Sequence, residues 1–159
     1  MAEEAKIQEE LIKRFPFLEN KIRVQRARRI YAEVSFEKFD EVFKYAVKDM
    51  NFCILCTMTG LDEGQVLSFI YHIAREDGTV LNLKTSVPKD DPVIKTITPY
   101  FSAADIYERE VMDLLGAKVE GLAPGNRYPL SDEWPRDQYP LRKDWKGDTS
   151  KGTEAKKDA

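Results

Sequence analysis

The sequence is poor in the residues that metal centres and disulfide frameworks require. Its 159 residues include two cysteines and one histidine, whereas a zinc site or an iron–sulfur cluster commonly takes four ligands. Two cysteines are also too few for a disulfide framework and are typical of thiols in a reducing compartment. We therefore expect that this chain holds no metal ion and no redox centre of its own.

Long apolar runs are missing as well. No stretch approaches the roughly 20 apolar residues that cross a bilayer, and the acidic start Met1–Lys6 differs from a signal peptide. Lys and Arg number 25 and Asp and Glu number 28, which gives a net charge of −3. This balance predicts no global attraction to nucleic acid. We expect a soluble chain that reaches a membrane only through a partner.

Apolar spacing near the N-terminus alternates between helical and strand periods. Apolar residues recur every four positions over residues 3–15, which predicts an amphipathic helix. Alternation from Ile30 to Val34 predicts a half-buried strand, and Ser35 is the predicted N-cap of a second helix. The apolar stripe of that helix consists of Phe36, Phe39, Phe43, Val47 and Met50.

Three further strands are predicted in the middle of the chain. Residues 52–58 are largely apolar on both faces, as in a central strand, and residues 65–74 and 80–84 alternate. Turns at 60–64 and 76–78 join them into an antiparallel meander. The predicted fold class is therefore α+β, an antiparallel β-sheet with helices packed on one face, plus an extended C-terminal arm.

The pattern after the meander predicts one clear helix. Residues 87–92 are a predicted loop and 93–98 a short helical piece, followed by a helix from Ser102 to Leu115 that Gly116 ends. Ser102 and Asp105 form a pair similar to a capping box. The apolar arc of this helix has Glu108 and Glu110 at its edges, and Arg109 lies on the far side with Asp105 and Asp113.

Residues 122–145, named here the C-terminal arm, contain four prolines and no apolar periodicity. Their large aromatic residues are Tyr128, Trp134, Tyr139 and Trp145. Such a segment cannot form its own core, and we expect a partner surface to order it. The chain thus divides into a domain over 1–121, the arm over 122–145 and a disordered tail over 146–159.

Three possible sites of chemistry or binding lie outside the predicted helix from Ser102 to Leu115. Cys53 and Cys56 point to opposite faces of a strand, so we interpret them as buried core thiols, and His72 as structural or surface. An enzyme that uses His72 or Cys56 is a weaker alternative. A basic run could bind RNA as a stand-alone module, although a solvated strand face or a protein interface is favoured. The run consists of Lys21, Arg23, Arg26, Arg28 and Arg29.

Several separated segments resemble a known family. They are Val87–Pro92, Ala103-Ala104, Tyr107–Gly116, Tyr139–Trp145 and Thr59–Asp62. Together, over roughly residues 20–145, they resemble the thirty-kilodalton subunit family, the C-type subunits of NADH–quinone oxidoreductases and energy-converting NiFe hydrogenases. Ile106, where respiratory members usually have Trp, and the loop 122–126 are more similar to the version in membrane-bound hydrogenases and related ferredoxin-dependent complexes. The alternative is the C-type subunit of a respiratory NADH–quinone oxidoreductase.

The resemblance implies a cofactor-free structural subunit in the hydrophilic part of a complex I-like oxidoreductase, with no catalytic, cofactor-binding or metal residue. Its implied partners are the large catalytic subunit, of the hydrogenase type or its respiratory D-type counterpart, and iron–sulfur subunits. Those partners would carry 4Fe-4S clusters and, in hydrogenases, a NiFe centre, on the cytoplasmic side of a membrane. The predicted interface residues are Glu108, Arg109, Glu110, Asp113, Trp134, Tyr139, Arg142, Lys143, Asp144 and Trp145.

Overall fold

A five-stranded sheet forms the centre of the fold in the computed structural model, which describes residues 3–147. The helices are α1 (Glu3–Arg14), α2 (Phe36–Lys48) and α3 (Ala104–Leu115), with a 3-10 turn at Pro16–Leu18. The strands are β1 (Ile22–Arg26), β2 (Arg29–Glu33), β3 (Ile54–Asp62), β4 (Val66–Ala74), β5 (Val80–Pro88), β6 (Val93–Lys95) and β7 (Lys118–Glu120).

The sheet has the order β1-β2-β5-β4-β3, and β6 and β7 form a separate two-stranded sheet. Strands β3, β4 and β5 are the predicted antiparallel meander. Strand β2 runs parallel to β5, with Ile30 opposite Leu81. This is possible because helix α2 crosses over to the far edge of the sheet, and the β3–β4 hairpin then brings the chain back beside β2. The α+β class is confirmed, and the sheet is mostly rather than wholly antiparallel.

The helices pack on one face of the sheet, as predicted. Tyr71 of β4 is buried, and the ring of Phe39 from α2 lies 4.6 Å from it between centroids. Gly60 of β3, which pairs with Phe69, lies under α3. A Cβ atom at Gly60 would collide with Leu115 Cδ1, so α3 reaches the same face as α2.

The predicted helical piece at 93–98 is wrong. Residues Val93–Lys95 form strand β6, which pairs in parallel with β7. β-Branched residues there fit a strand better than a helix. Strand β1 was not predicted because only Ile22 in it is buried and Val24 is 39% exposed, which leaves no alternation to detect.

Strand β3 lies at the edge of the sheet, so the prediction of a central strand over 52–58 is wrong. Ile54 is 45% exposed although it is apolar, which is why the residue types suggested burial on both faces. Cys53 and Cys56 are also exposed, free thiols rather than core residues. Cys56 is the extra residue of a β-bulge between Leu55 and Thr57, a feature common at edge strands.

The predicted C-terminal cap of α3 forms, whereas neither α2 nor α3 has a side-chain hydrogen bond at its N-cap. Helix α3 has Ala103 at its N-cap without a side-chain cap bond, so the predicted Ser102–Asp105 capping pair does not form. Ser35 does occupy the N-cap of α2, but its side chain makes no cap hydrogen bond. Gly116 is the left-handed terminator of α3, with φ +73°, as predicted.

His72 has a structural role in the sheet, within the predicted alternatives. Its Nδ1 lies 2.6 Å from Asn82 Oδ1 and its Nε2 lies 3.0 Å from Thr59 Oγ1. Asn82 in turn donates to the carbonyl of Ile30. The imidazole therefore links strands β3, β4 and β5 through side-chain hydrogen bonds.

The predicted disordered tail begins at residue 146, and its residues 148–159 lie outside the described part of the chain. Among the helices of residues 3–147, none has the length and apolar character needed to cross a membrane.

Candidate interaction site

Three of the segments that carry the family resemblance, Thr59–Asp62, Val87–Pro92 and Tyr139–Trp145, meet around the buried carboxylate of Asp62, at the end of strand β3. Its side chain is 1% exposed. Asp62 Oδ2 accepts hydrogen bonds from Lys89 Nζ and from the backbone N–H of Lys143, both at 2.8 Å, and Oδ1 accepts from Gly64 N. Lys89 Nζ also donates to Asp144 at 2.9 Å. One carboxylate thus joins the sheet, the loop after β5 and the end of the C-terminal arm.

The electrostatics of this junction favour the charged form of Asp62. Burial alone raises the pKa of a carboxyl group, but the Lys89 ammonium and the N–H groups of Lys143 and Gly64 outweigh that effect. Together they lower the pKa of Asp62 to about 2. Hydrogen bonds from its ammonium group to the carboxylates of Asp62 and Asp144 raise the pKa of Lys89. The junction is therefore a charge-assisted clamp on the arm.

A second contact fastens the arm to the C-terminal end of helix α3. Arg142 Nε donates to the carbonyl of Leu115 at 2.7 Å, and the backbone N–H of Leu141 donates to the carbonyl of Leu114 at 3.0 Å. These bonds satisfy carbonyl groups that the helix end leaves without a partner. The Arg142 guanidinium also lies 4.7 Å from the centre of the Tyr139 ring.

The start of the arm is held along the outer side of α3. Arg109 forms a bidentate pair with Asp105, at 2.8 and 3.0 Å, and donates to the carbonyl of Ala123 at 2.8 Å. Asp113 pairs with Arg127 at 3.1 Å rather than with Arg109. Because the side chains of Asp113 and Arg127 are each 12% exposed, this ion pair is largely shielded from water.

The two tryptophans of the arm pack against each other. The ring centroids of Trp134 and Trp145 are 5.9 Å apart, and Trp134 Nε1 donates to the carbonyl of Gln138 at 2.9 Å. Both rings stay half-buried, and Tyr128 is 44% exposed. Contacts within the chain hold the arm on α3 and β3, and the sequence did not reveal these polar anchors. The ordering of the arm by a partner surface stays a prediction.

Glu108 is fully buried and does not face the arm. Its carboxylate accepts hydrogen bonds at 2.6 Å from Thr96 Oγ1 and from the backbone N–H of Ile97. Burial raises its pKa, and these two hydrogen bonds oppose the rise without cancelling it. The helical arc placed Glu108 at an edge, but sequence could not show that the 96–97 segment supplies donors there.

Glu110 lies in a groove between α3 and the edge strand β3. The groove has a volume of about 310 Å³ and is also lined by Gly60, Leu114 and Leu141. In the described part of the chain, Glu110 has no ion-pair partner. Glu110 is half-buried, and Leu141 in the same groove is 55% exposed.

The structure therefore gathers most predicted interface residues at one site, with α3 at its centre. The residues that contact the arm or belong to it are Arg109, Asp113, Trp134, Tyr139, Arg142, Lys143, Asp144 and Trp145. The basic run instead lies on the β1–β2 hairpin, where its side chains are mostly exposed. Over residues 3–147 no group of three or more potential metal ligands occurs. The use of the site as an interface stays a prediction.

Comparisons with known proteins find relatives that are all subunits of one type. The pattern of the respiratory-chain NADH dehydrogenase 30 kDa subunit family matches residues 32–151. The C-type subunit of the F(420)H(2) dehydrogenase of Methanosarcina mazei is 33% identical over 134 residues, which cover 80% of this chain and 85% of that protein. The beta subunit of the membrane-bound hydrogenase of Pyrococcus furiosus is 27% identical, covering 77% of this chain and 74% of its own length.

Solved structures agree with the sequence relatives. A chain of the membrane-bound sulfane sulfur reductase, an archaeal respiratory membrane complex, superposes with a TM-score of 0.74 and 28% identity, over 89% of this chain and 84% of that one. The trypsin-resistant fragment of Nqo5 gives a TM-score of 0.62 at 25% identity, over 79% of this chain and all of the fragment.

The fold and the site define a small α+β protein of the kind found as a component of complex I-like, membrane-bound oxidoreductases. The chain belongs to the respiratory-chain NADH dehydrogenase 30 kDa subunit family. The family resemblance of the sequence is thereby confirmed.

Proposed function

We propose that this chain is a cofactor-free structural subunit in the hydrophilic part of a complex I-like membrane-bound oxidoreductase, where it docks on the large catalytic subunit. The observation that carries the proposal is the attachment of the C-terminal arm to α3 and β3. Contacts at Asp62, Asp113 and Leu115 fix the arm on its inner side. Its outer side remains available to another chain.

The outer side of this site has the properties of an interface. Leu141 is 55% exposed, Tyr128 is 44% exposed and Ile106 at the start of α3 is 49% exposed, and the Trp134–Trp145 pair is half-buried. Apolar and aromatic side chains that stay partly exposed on a fixed backbone can dock with little loss of conformational entropy. The inner contacts thus pre-organise the surface.

The proposed host complex is a ferredoxin-dependent hydrogenase-type assembly. Support comes from the similarity to the hydrogenase beta subunit of Pyrococcus furiosus and to the archaeal sulfane sulfur reductase complex. In this proposal the partner subunits hold the 4Fe-4S clusters and a NiFe centre, and they attach this chain to the cytoplasmic side of the membrane. Similarity to the C-type subunit of NADH-quinone oxidoreductase supports the respiratory complex as the second candidate.

The test is purification of the assembly from detergent-solubilised membranes through an affinity tag on this chain. The proposal expects the large subunit and iron–sulfur subunits to copurify in fixed ratio with it. The isolated full chain should show no bound iron and no redox turnover with ferredoxin or NADH. Recovery of the tagged chain alone, or turnover by the isolated chain, would contradict the proposal.

A further inference from the structure

A cavity of about 300 Å³ lies between helix α3, strand β7 and the C-terminal arm. Its lining carries four cationic side chains and one carboxylate. They are Arg109, Lys118, Arg127, Arg136 and Asp113. The whole chain has a net charge of −3, so this concentration of positive charge is a local feature and not a consequence of the overall composition.

Three of the four cations are neutralised by pairs within the chain. Arg109 pairs with Asp105 at 2.8 Å, Arg127 with Asp113 at 3.1 Å, and Lys118 with Asp91 at 2.8 Å. For Arg136, no carboxylate within residues 3–147 lies at ion-pair distance. The cavity therefore keeps an uncompensated positive charge at its rim.

The cavity also offers an apolar wall. Tyr139 and Met112 line it, and the Arg142 guanidinium lies 4.7 Å from the centre of the Tyr139 ring. A guanidinium matches a carboxylate with two parallel hydrogen bonds, while the ring and the thioether suit the methylene groups that carry it.

We infer that this cavity receives an acidic side chain, an Asp or a Glu, from the large subunit on which the chain docks, with Arg136 as its main ion-pair partner. The inference rests on the proposed function and names the partner chemistry of the same site. A nucleic acid is a poorer occupant because backbone phosphates call for a row of cations along a track. Here the four cationic side chains surround one concave site, and Arg136 carries its uncompensated charge.

Charge reversal tests the inference in the tagged, purified assembly. Arg136→Glu is compared with Arg26→Glu, which makes the same change in net charge on the exposed β1–β2 hairpin. We expect Arg136→Glu to weaken retention of the large subunit about tenfold, and more steeply at low salt, while Arg26→Glu leaves it unchanged. Equal retention of both variants would overturn the inference.

A zero-length crosslink identifies the partner group directly. Arg136→Lys places an amine at the cavity rim, which a water-soluble carbodiimide can couple to a carboxylate in contact with it. Mass spectrometry is expected to find residue 136 joined to an Asp or Glu of the large subunit. Crosslinks confined to this chain, or nucleic acid protecting the lysine, would refute the inference.

The two tests separate this inference from the proposed function. If the wild-type chain copurifies with no large subunit, the proposed function fails. The other outcome is that the wild-type chain copurifies with the large subunit, Arg136→Glu retains that subunit like wild type, and Arg136→Lys gives no intersubunit crosslink. In that case the proposed function stands and only the inferred acidic contact fails.

Discussion

At the scale of single residues, Asp62 is the most consequential side chain of the site. It is buried, yet it accepts three hydrogen bonds from the loops and the arm that meet there. Removing one partner of such a cluster leaves buried donors unsatisfied, which costs more than an exposed ion pair contributes. Asp62 therefore couples the stability of the domain to the position of the arm.

Replacing Asp62 by Asn is expected to lower the free energy of unfolding by about 2–3 kcal/mol. The new amide would place a donor where Lys89 Nζ and the Lys143 N–H now donate. The measurement is urea denaturation of the full chain at neutral pH. Asp132→Asn, an exposed arm residue, is the control, and an equal loss in both variants would contradict the assignment.

The low pKa of Asp62 also predicts a pH dependence. Its folded pKa of about 2 lies below the unfolded value, so the folded state binds fewer protons and the group stabilises the fold above about pH 4. That contribution disappears as the pH falls towards 2. The stability difference between wild type and Asp62→Asn should thus shrink over this range, and a constant difference would contradict the ionised clamp.

Glu108 behaves in the opposite sense because burial raises its pKa. Stability is expected to fall as the pH rises above the unfolded value of about 4.3, until the folded group ionises. Glu108→Gln keeps an acceptor for the Ile97 N–H and should remove this dependence in urea titrations. Glu108→Ala should cost about 2–4 kcal/mol. Identical pH profiles for wild type and Glu108→Gln would argue against a perturbed carboxyl.

At the scale of secondary structure, alternation and helical spacing allowed most of the fold to be predicted. The buried face of β4 and the stripe of α2 followed from their periods, and Gly116 marked the end of α3. Strand β6 and the edge position of β3 could not be predicted because they depend on pairing with distant segments. The parallel β2–β5 pair likewise has no local signal.

The candidate site was also predictable only in part from the sequence. Motif order in the sequence located α3 and the end of the arm, but the pairing of Asp113 with Arg127 instead of Arg109 requires the path of the arm. The junction at Asp62 was not predicted for the same reason, because Lys89 and Lys143 are distant from Asp62 in sequence. The sequence shows which side chains of the site are charged, but only the tertiary structure shows which of them pair.

The contact between α3 and β3 is a testable element-scale feature. Gly60→Ala drives a Cβ atom against Leu115 Cδ1 in the core, so overpacking should lower stability by about 1–3 kcal/mol. Because Leu115→Ala removes the colliding methyl group, the double variant should lose less than the sum of the two single variants. Additive losses in thermal unfolding would show that α3 does not pack there.

The ion pair between α3 and the arm is testable by proteolysis. Asp113→Asn should release Arg127 and raise the rate of tryptic cleavage after Arg127 and Arg136 by about five- to tenfold, because cleavage follows local opening. Asp132→Asn, exposed in the same arm and adjacent to neither cleavage site, is the matched control. Unchanged cleavage in Asp113→Asn would indicate that the arm is held by other contacts.

At the scale of the whole molecule, the chain is a small domain with one helical face and an arm fastened across it. The polar contacts of the inner side fix the arm, and in our proposal the exposed aromatic and apolar residues of the outer side contact a partner. Membership in the 30 kDa subunit family agrees with this division. The domain thus supplies a shaped surface, and in our proposal the redox chemistry belongs to its neighbours.

Hydrogen–deuterium exchange tests this division most directly, by comparing the isolated full chain with the same chain in the purified assembly. The account predicts that backbone amides of the C-terminal arm and of α3 exchange at least about tenfold more slowly in the assembly. Amides of the β1–β2 hairpin should exchange at the same rate in both samples. Protection confined to the hairpin, with the arm unchanged, would contradict the proposed docking surface.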